Sequence, residues 1–202
     1  MDQLYFRLNG ALHRVAQVAV WIGGASLMVC AILVTGDVIM RKLFSITVSG
    51  SDEISGYAFA ASTTWAYSYC LLHRANIRID AVYNLFPNVV KAVLDLIGLL
   101  ALLFFMFMLT RPAIDVLGET IRNDAVSNTT LLTPLWIPQS LWLAGLILFC
   151  VTLCFVSLFA VLFLLKGDLP MVRRIAGVLS IEEEIDEETR GTAGYRERSG
   201  ER

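Results

Sequence analysis

The chain has 202 residues, of which 56% are hydrophobic and only 17% charged, and its formal net charge is −2. Soluble domains carry about 25% charged residues, so a chain this apolar would lack the polar surface to cover itself in water. Composition therefore excludes an ordinary soluble domain, and the near-neutral balance points to no nucleic-acid partner.

Residues 1–14 read as a short cytoplasmic lead-in, with Tyr5 and Phe6 suited to a membrane interface. No charged side chain occurs between Arg14 and Asp37. A bilayer core about 30 Å thick takes roughly 20 apolar helical residues, and 15–36 alone would make about 33 Å of helix. A first membrane helix is expected over about 15–40, with Gly23, Gly24, Ala25 and Ser26 near its middle. The run exceeds the roughly 7–15 apolar residues of a signal peptide. The residues after it, Thr35 to Ile39, offer no small-x-small cleavage site, so it is expected to stay as an anchor. Asp37 and Arg41 stand four residues apart at its outer end, a favourable helical ion pair. A structural anchor is the reading their end-of-helix place favours over a proton or ion site.

The second uncharged stretch predicts a helix over about 54–72, of different character. Ala58, Ser62 and Ala66 recur every four residues as one small face, and Ser55, Thr63, Thr64 and Ser68 add hydroxyls. Small residues let helix backbones approach closely in lipid, and hydroxyls bond across the contact. This helix is expected to be packed in protein and to meet a larger membrane partner. A third helix is expected over about 89–110. Asp95 is its deepest carboxylate, with Lys91 four residues earlier to neutralise it near the membrane surface. Its helical pattern continues outward, with Ile114, Leu117 and Ile121 on one stripe and Asp115, Glu119 and Arg122 opposite. Pro134 and Pro138 break the long run after Asp124, leaving a fourth helix over about 139–165 with Trp136 and Trp142 placed as interfacial aromatics. Helices 3 and 4, dominated by Leu, Phe, Val and Ile, are expected to show more surface to lipid than helix 2. Residues 166–202 read as a charged cytoplasmic tail, expected to be disordered from about 182.

The fold class expected is thus all-α and membrane-integral, with four transmembrane helices. Orientation follows the Lys and Arg of the loops. Arg7, Arg14, Arg74, Arg78, Lys91, Lys166, Arg173 and Arg174 fall on one side, against Arg41, Lys42, Arg111 and Arg122 on the other. Both termini are therefore expected to be cytoplasmic. Cys30, Cys70, Cys150 and Cys154 all lie inside expected spans without C-x-x-C spacing, and read as buried thiols that fill space. His13 and His73 lie at helix edges with no second histidine expected at matching depth, which does not support a haem held by two imidazoles. No phosphate-binding loop, H-E-x-x-H or Ser/His/Asp grouping occurs. The residues by themselves describe a non-catalytic membrane subunit with no expected metal or cofactor.

Several separated features together resemble one family, the DctQ-like small membrane subunit of tripartite ATP-independent periplasmic (TRAP) transporters. Asp37-x-x-x-Arg41 closes helix 1, and Ser51-Asp52-Glu53 followed by Tyr57 opens helix 2. His73 to Asp80 is similar to the family's His-Ile-x-Val-Asp loop, although Arg74, Ala75 and Asn76 separate His73 from Ile77. Pro87 and Asp95 lead into helix 3, and Trp136-Ile137-Pro138 starts helix 4. The resemblance runs from about Asp37 to about Phe149. It implies a bacterial inner-membrane subunit that flanks a large transport subunit and helps dock a periplasmic solute receptor. Uptake of an organic acid would then be driven by an ion gradient, and these residues, with Ala58, Ser62, Ala66 and Lys91, would be structural or subunit-interface positions. A membrane anchor of a redox enzyme and a small stand-alone exporter are the rival readings; haem or quinone ligands would favour the first, and a central acid in helix 1 the second.

Overall fold

The computed structural model describes residues 2–47, 49–74, 87–177 and 189. Among them five helices carry the fold: α1 (Asp2–Phe44), α2 (Ser51–Leu72), α3 (Asn88–Arg122), α4 (Trp136–Leu165) and the short α5 (Leu169–Ala176). The described residues form no strand beyond an isolated bridge between Val126 and Pro134. Helices α1, α3 and α4 are each long and apolar enough to cross a membrane. Helix α2 is 22 residues long, but its Ser, Thr and Tyr side chains dilute its apolar character.

Three boundaries differ from the sequence reading. The lead-in over 1–14 is continuous with α1, because nothing before Phe44 breaks the helix and propagation adds one bond per residue once a nucleus exists. Helix α3 carries Pro112 inside it and continues to Arg122. Helix α4 starts at Trp136, with Pro138 in its first turn, where the missing N–H has no intrahelical acceptor to serve. The tail expected to be disordered lies, apart from Thr189, outside the described residues.

The principal packing forms a row. Helix α1 packs on α2, α2 on α4 and α4 on α3, while α5 tucks under α3 and α4. Helices α2 and α4 run parallel, which the pairing of Thr64 with Trp142 and of Tyr67 with Phe149 establishes. The expectation that α4 would show much surface to lipid is overturned. Half of its apolar window is buried (50%), against 22% in α3 and 11% in α1. Leu146, Leu153, Val156, Phe159, Ala160 and Phe163 of α4 form the spine of the core. Hydrophobicity could not reveal this, since a Leu facing lipid and a Leu facing protein are equally apolar in a membrane. What selects α4 is shape. A Cβ on Gly145 would stand 2.5 Å from Trp65 Cδ1 and 2.7 Å from Thr64 Cβ, so only glycine admits this approach of α2.

The helices are also displaced along one another. Thr110 of α3 lies 3.4 Å from Cys150 Sγ, near the middle of α4. Arg111, Asp115 and Glu119 therefore run back beside the apolar first half of α4, all exposed on the outer side of α3.

Candidate functional site

Polar side chains gather at three levels of the row. At the end where α1 meets α2, Asp37 is 2% exposed despite being a carboxylate. Arg41, one turn on, pairs with Asp37 Oδ2 while keeping its own side chain about half exposed. Ser51 Oγ, at the start of α2, donates to the same oxygen at 3.4 Å. The carboxylate thus pins the first turn of α2 to the last turns of α1.

A second carboxylate extends this clasp. Glu53 accepts from Tyr57 Oη at 2.7 Å and from the hydroxyl of Thr129, across 76 residues of sequence. Those hydroxyls, Thr129 first and then Tyr57, hold the Glu53 carboxyl below the usual carboxylate range. Thr129 belongs to a loop ordered by its own backbone: Ser127 N donates to Thr133 O at 2.9 Å and Leu135 N to Ala125 O at 3.0 Å. Gly50 sits at φ 90°, and Leu131 packs where a Cβ would stand. The α1 end, the α2 start and the 123–135 loop are therefore one polar assembly.

At mid-height, Ser62 is buried against α1. Its Oγ donates to Gly23 O at 3.0 Å and lies 3.0 Å from Ser26 Oγ. A Cβ on Gly23 would approach Ser62 Cα to 3.2 Å. So the part of the small face at Ser62 is covered within the chain, while Ala58 and Ala66 remain half-buried. On the other side of α2, Thr64 Oγ1 donates to Trp142 O at 3.2 Å and Trp65 Nε1 to Leu141 O at 2.8 Å. Helix α2 is held by side-chain bonds on both flanks, as its hydroxyl content suggested.

The third level lies at the far end of α2. His73 caps the helix, its Nδ1 3.0 Å from Tyr69 O and its ring stacked 3.8 Å from that of Tyr69. His13 stands edge-on to it with ring centres 5.0 Å apart. The expectation of no second histidine at matching depth is corrected: the long N-terminal part of α1 brings His13 level with His73. The two rings are in edge-to-face contact. Pro87 precedes α3, accepting from Lys91 N at 3.1 Å, and Asp95 is 1% exposed between the buried Ala92 and Leu99. Pro138 is buried in the first turn of α4. Asp80 lies outside the described residues.

Among the described residues no group of three or more His, Cys, Asp or Glu could hold a metal. All four cysteines are free. Cys30 is buried, Cys70 and Cys150 are half-buried and Cys154 is exposed, so the reading of all four as buried space-fillers holds fully only for Cys30 and fails at Cys154. Its position on α4 turns it outward from the row. Sequence reasoning missed Thr129 and Gly145. An isolated glycine in an otherwise bulky helix was a signal for the second, whereas nothing local marks Thr129 out from its polar neighbours.

The family described as tripartite ATP-independent periplasmic transporters, DctQ component, matches residues 30–164. No curated protein matches the chain, and no solved structure matches it.

Proposed function

We propose, for a chain that belongs to the DctQ component family of tripartite ATP-independent periplasmic transporters, the role of a scaffold and docking subunit. The family is a transporter component and not an enzyme family. In this reading the helix row stands beside a large transport subunit in the bacterial inner membrane. It extends that subunit's fixed part and presents the clasp of Asp37, Arg41, Glu53, Tyr57 and Thr129 towards the periplasm, where a solute receptor docks. Helix α2 is the fourth span, and both termini are cytoplasmic. Uptake of an organic acid is driven by an ion gradient that acts on the large subunit. Ala58, Ser62 and Ala66 maintain the row, and Lys91 with Asp95 anchors the start of α3.

The observation that supports this reading is the openness of α1, a 43-residue helix with only 11% of its apolar window covered by the chain itself. A stand-alone transporter needs polar side chains converging around a substrate path, whereas the core among the described residues is apolar. Co-expression with the large membrane subunit tests the proposal. The chain should co-purify with it at a fixed ratio, and a chain recovered free of it under mild detergent would contradict the scaffold role.

A further inference from the structure

The chain contains 2 histidines, far apart in sequence, and folding brings them together. His13 comes from α1, and His73 is the residue that closes α2. Their ring centres lie 5.0 Å apart with the planes inclined at 76°. Ring packing alone accounts for such a contact but leaves the nitrogens without work. His73 Nδ1 lies 3.0 Å from Tyr69 O. A carbonyl can only accept, so Nδ1 carries the proton and Nε2 presents a lone pair. Among the described residues His73 Nε2 and both nitrogens of His13 have no hydrogen-bond partner. An Nδ1–H held by a backbone carbonyl is how metal-binding histidines are set, because that bond fixes the tautomer and the orientation of the ring. Stacking at 3.8 Å on Tyr69 holds the His73 ring further.

Spacing then selects the ligand. With metal–nitrogen bonds of about 2.0–2.1 Å and a tetrahedral angle, two imidazoles on one ion stand with ring centres about 5 Å apart. The separation of His13 and His73 matches that value. Hard ions such as Ca²⁺ and Mg²⁺ take oxygen ligands, whereas imidazole suits Zn²⁺, Cu²⁺ and Ni²⁺. His73 is exposed and His13 half-buried, so an ion reaches the pair from water. His73 also follows the last turn of α2, where the helix dipole favours a positive charge. Two protein ligands leave the remaining coordination positions to water, which makes the ion exchangeable, unlike the closed four-ligand sites of structural zinc.

We propose that His13 and His73 together bind one divalent transition-metal ion of the zinc class and so clamp the N-terminal part of α1 to the end of α2. The inference does not depend on the transport role. The membrane complex containing the full chain, free of affinity tags, is stripped with chelator and titrated with Cu²⁺, whose electron paramagnetic resonance spectrum reports nitrogen ligands. The wild type should bind one ion more per chain than the double variant His13→Gln, His73→Gln, with splitting from two nitrogens, and Zn²⁺ should displace it. Either single substitution should remove the two-nitrogen signal and weaken binding by at least the roughly ten-fold that loss of a supporting partner costs. Because neither histidine is fully buried, the variants are expected to fold, and helical circular dichroism equal to the wild type checks this. Zn²⁺ should also slow amide exchange around His13 and His73 in the wild type and leave the variants unchanged. A two-nitrogen signal that survives in either single variant, or a wild type that binds no more copper than the double variant, would show that the two rings are only packed against each other.

Discussion

Gly145→Ala is the substitution from which the packing account predicts most for the fewest atoms. The new Cβ would stand 2.7 Å from Thr64 Cβ and 2.5 Å from Trp65 Cδ1. Thr64 Cβ is fixed to its backbone and cannot rotate aside, so α2 and α4 must separate by roughly 1 Å to restore carbon contact near 3.5–4.0 Å. Two bonds then lengthen together: Thr64 to Trp142 O, now 3.2 Å, and Trp65 to Leu141 O, now 2.8 Å. Overpacking costs about 1–3 kcal/mol, and interhelical hydrogen bonds in membranes average about 0.6 kcal/mol, which gives an expected loss of about 2–4 kcal/mol. Gly24→Ala and Gly98→Ala are the controls, since nothing stands within 4 Å of either added Cβ. Relief from helical glycine should leave these neutral or better by up to about 1 kcal/mol. Unfolding in mixed dodecyl sulfate micelles, followed by Trp fluorescence, separates the cases. Gly145→Ala as stable as Gly24→Ala would refute the claim that α2 docks on α4 through this glycine.

Four other outcomes are expected. Gly50→Ala, at φ 90° and against Leu131, should cost about 1–2 kcal/mol and expose the 123–135 loop to protease without releasing the membrane helices. Arg41→Ala should destabilise the clasp more than Asp37→Asn does in thermal melts, because it leaves a buried carboxylate without its cation. Half-exposure of Arg41 limits the difference to about 1–2 kcal/mol. The Glu53 contribution should be present above the ordinary carboxylate pKa and disappear as pH falls through the lowered folded value, since its carboxyl is held below the usual range. Protease protection of the loop should follow that titration and become flat in Glu53→Gln. In a variant lacking the native cysteines, a cysteine placed in 112–130 should react with an impermeant thiol reagent from the periplasm and one in 76–84 should not; the reverse pattern would invert the proposed orientation.

Much of the helical organisation was legible because lipid imposes a simple rule: uncharged runs of about 20 residues become helices. Asp37 and Arg41 were readable for the same reason, as two charges spaced one helical turn apart at the end of such a run. The order of the row was not legible. Which face of α4 meets α2 depends on Gly145 lying beside Thr64 and Trp65, a match between segments some 80 residues apart that leaves no periodic trace. Glu53 and Thr129 are separated in the same way. The contact of His13 with His73 escaped because it requires α1 to run unbroken through residues that composition assigned to a lead-in. Helix α2 shows a different limit: the hydroxyls that bond it to Gly23 and Trp142 also make it look less like a membrane span than its neighbours.

The central claim is that this chain supports transport without performing it, and reconstitution tests that most directly. Proteoliposomes carrying the chain alone, the large subunit alone or both are given the solute receptor, an organic acid and an inward sodium gradient. The account predicts no uptake by the chain alone and full uptake only when both membrane subunits are present. In the complete system, Asp95→Asn should change the maximal rate or the complex yield while the sodium stoichiometry stays constant. Uptake by the isolated chain, or a stoichiometry altered by Asp95→Asn, would place transport chemistry in this subunit and contradict the account.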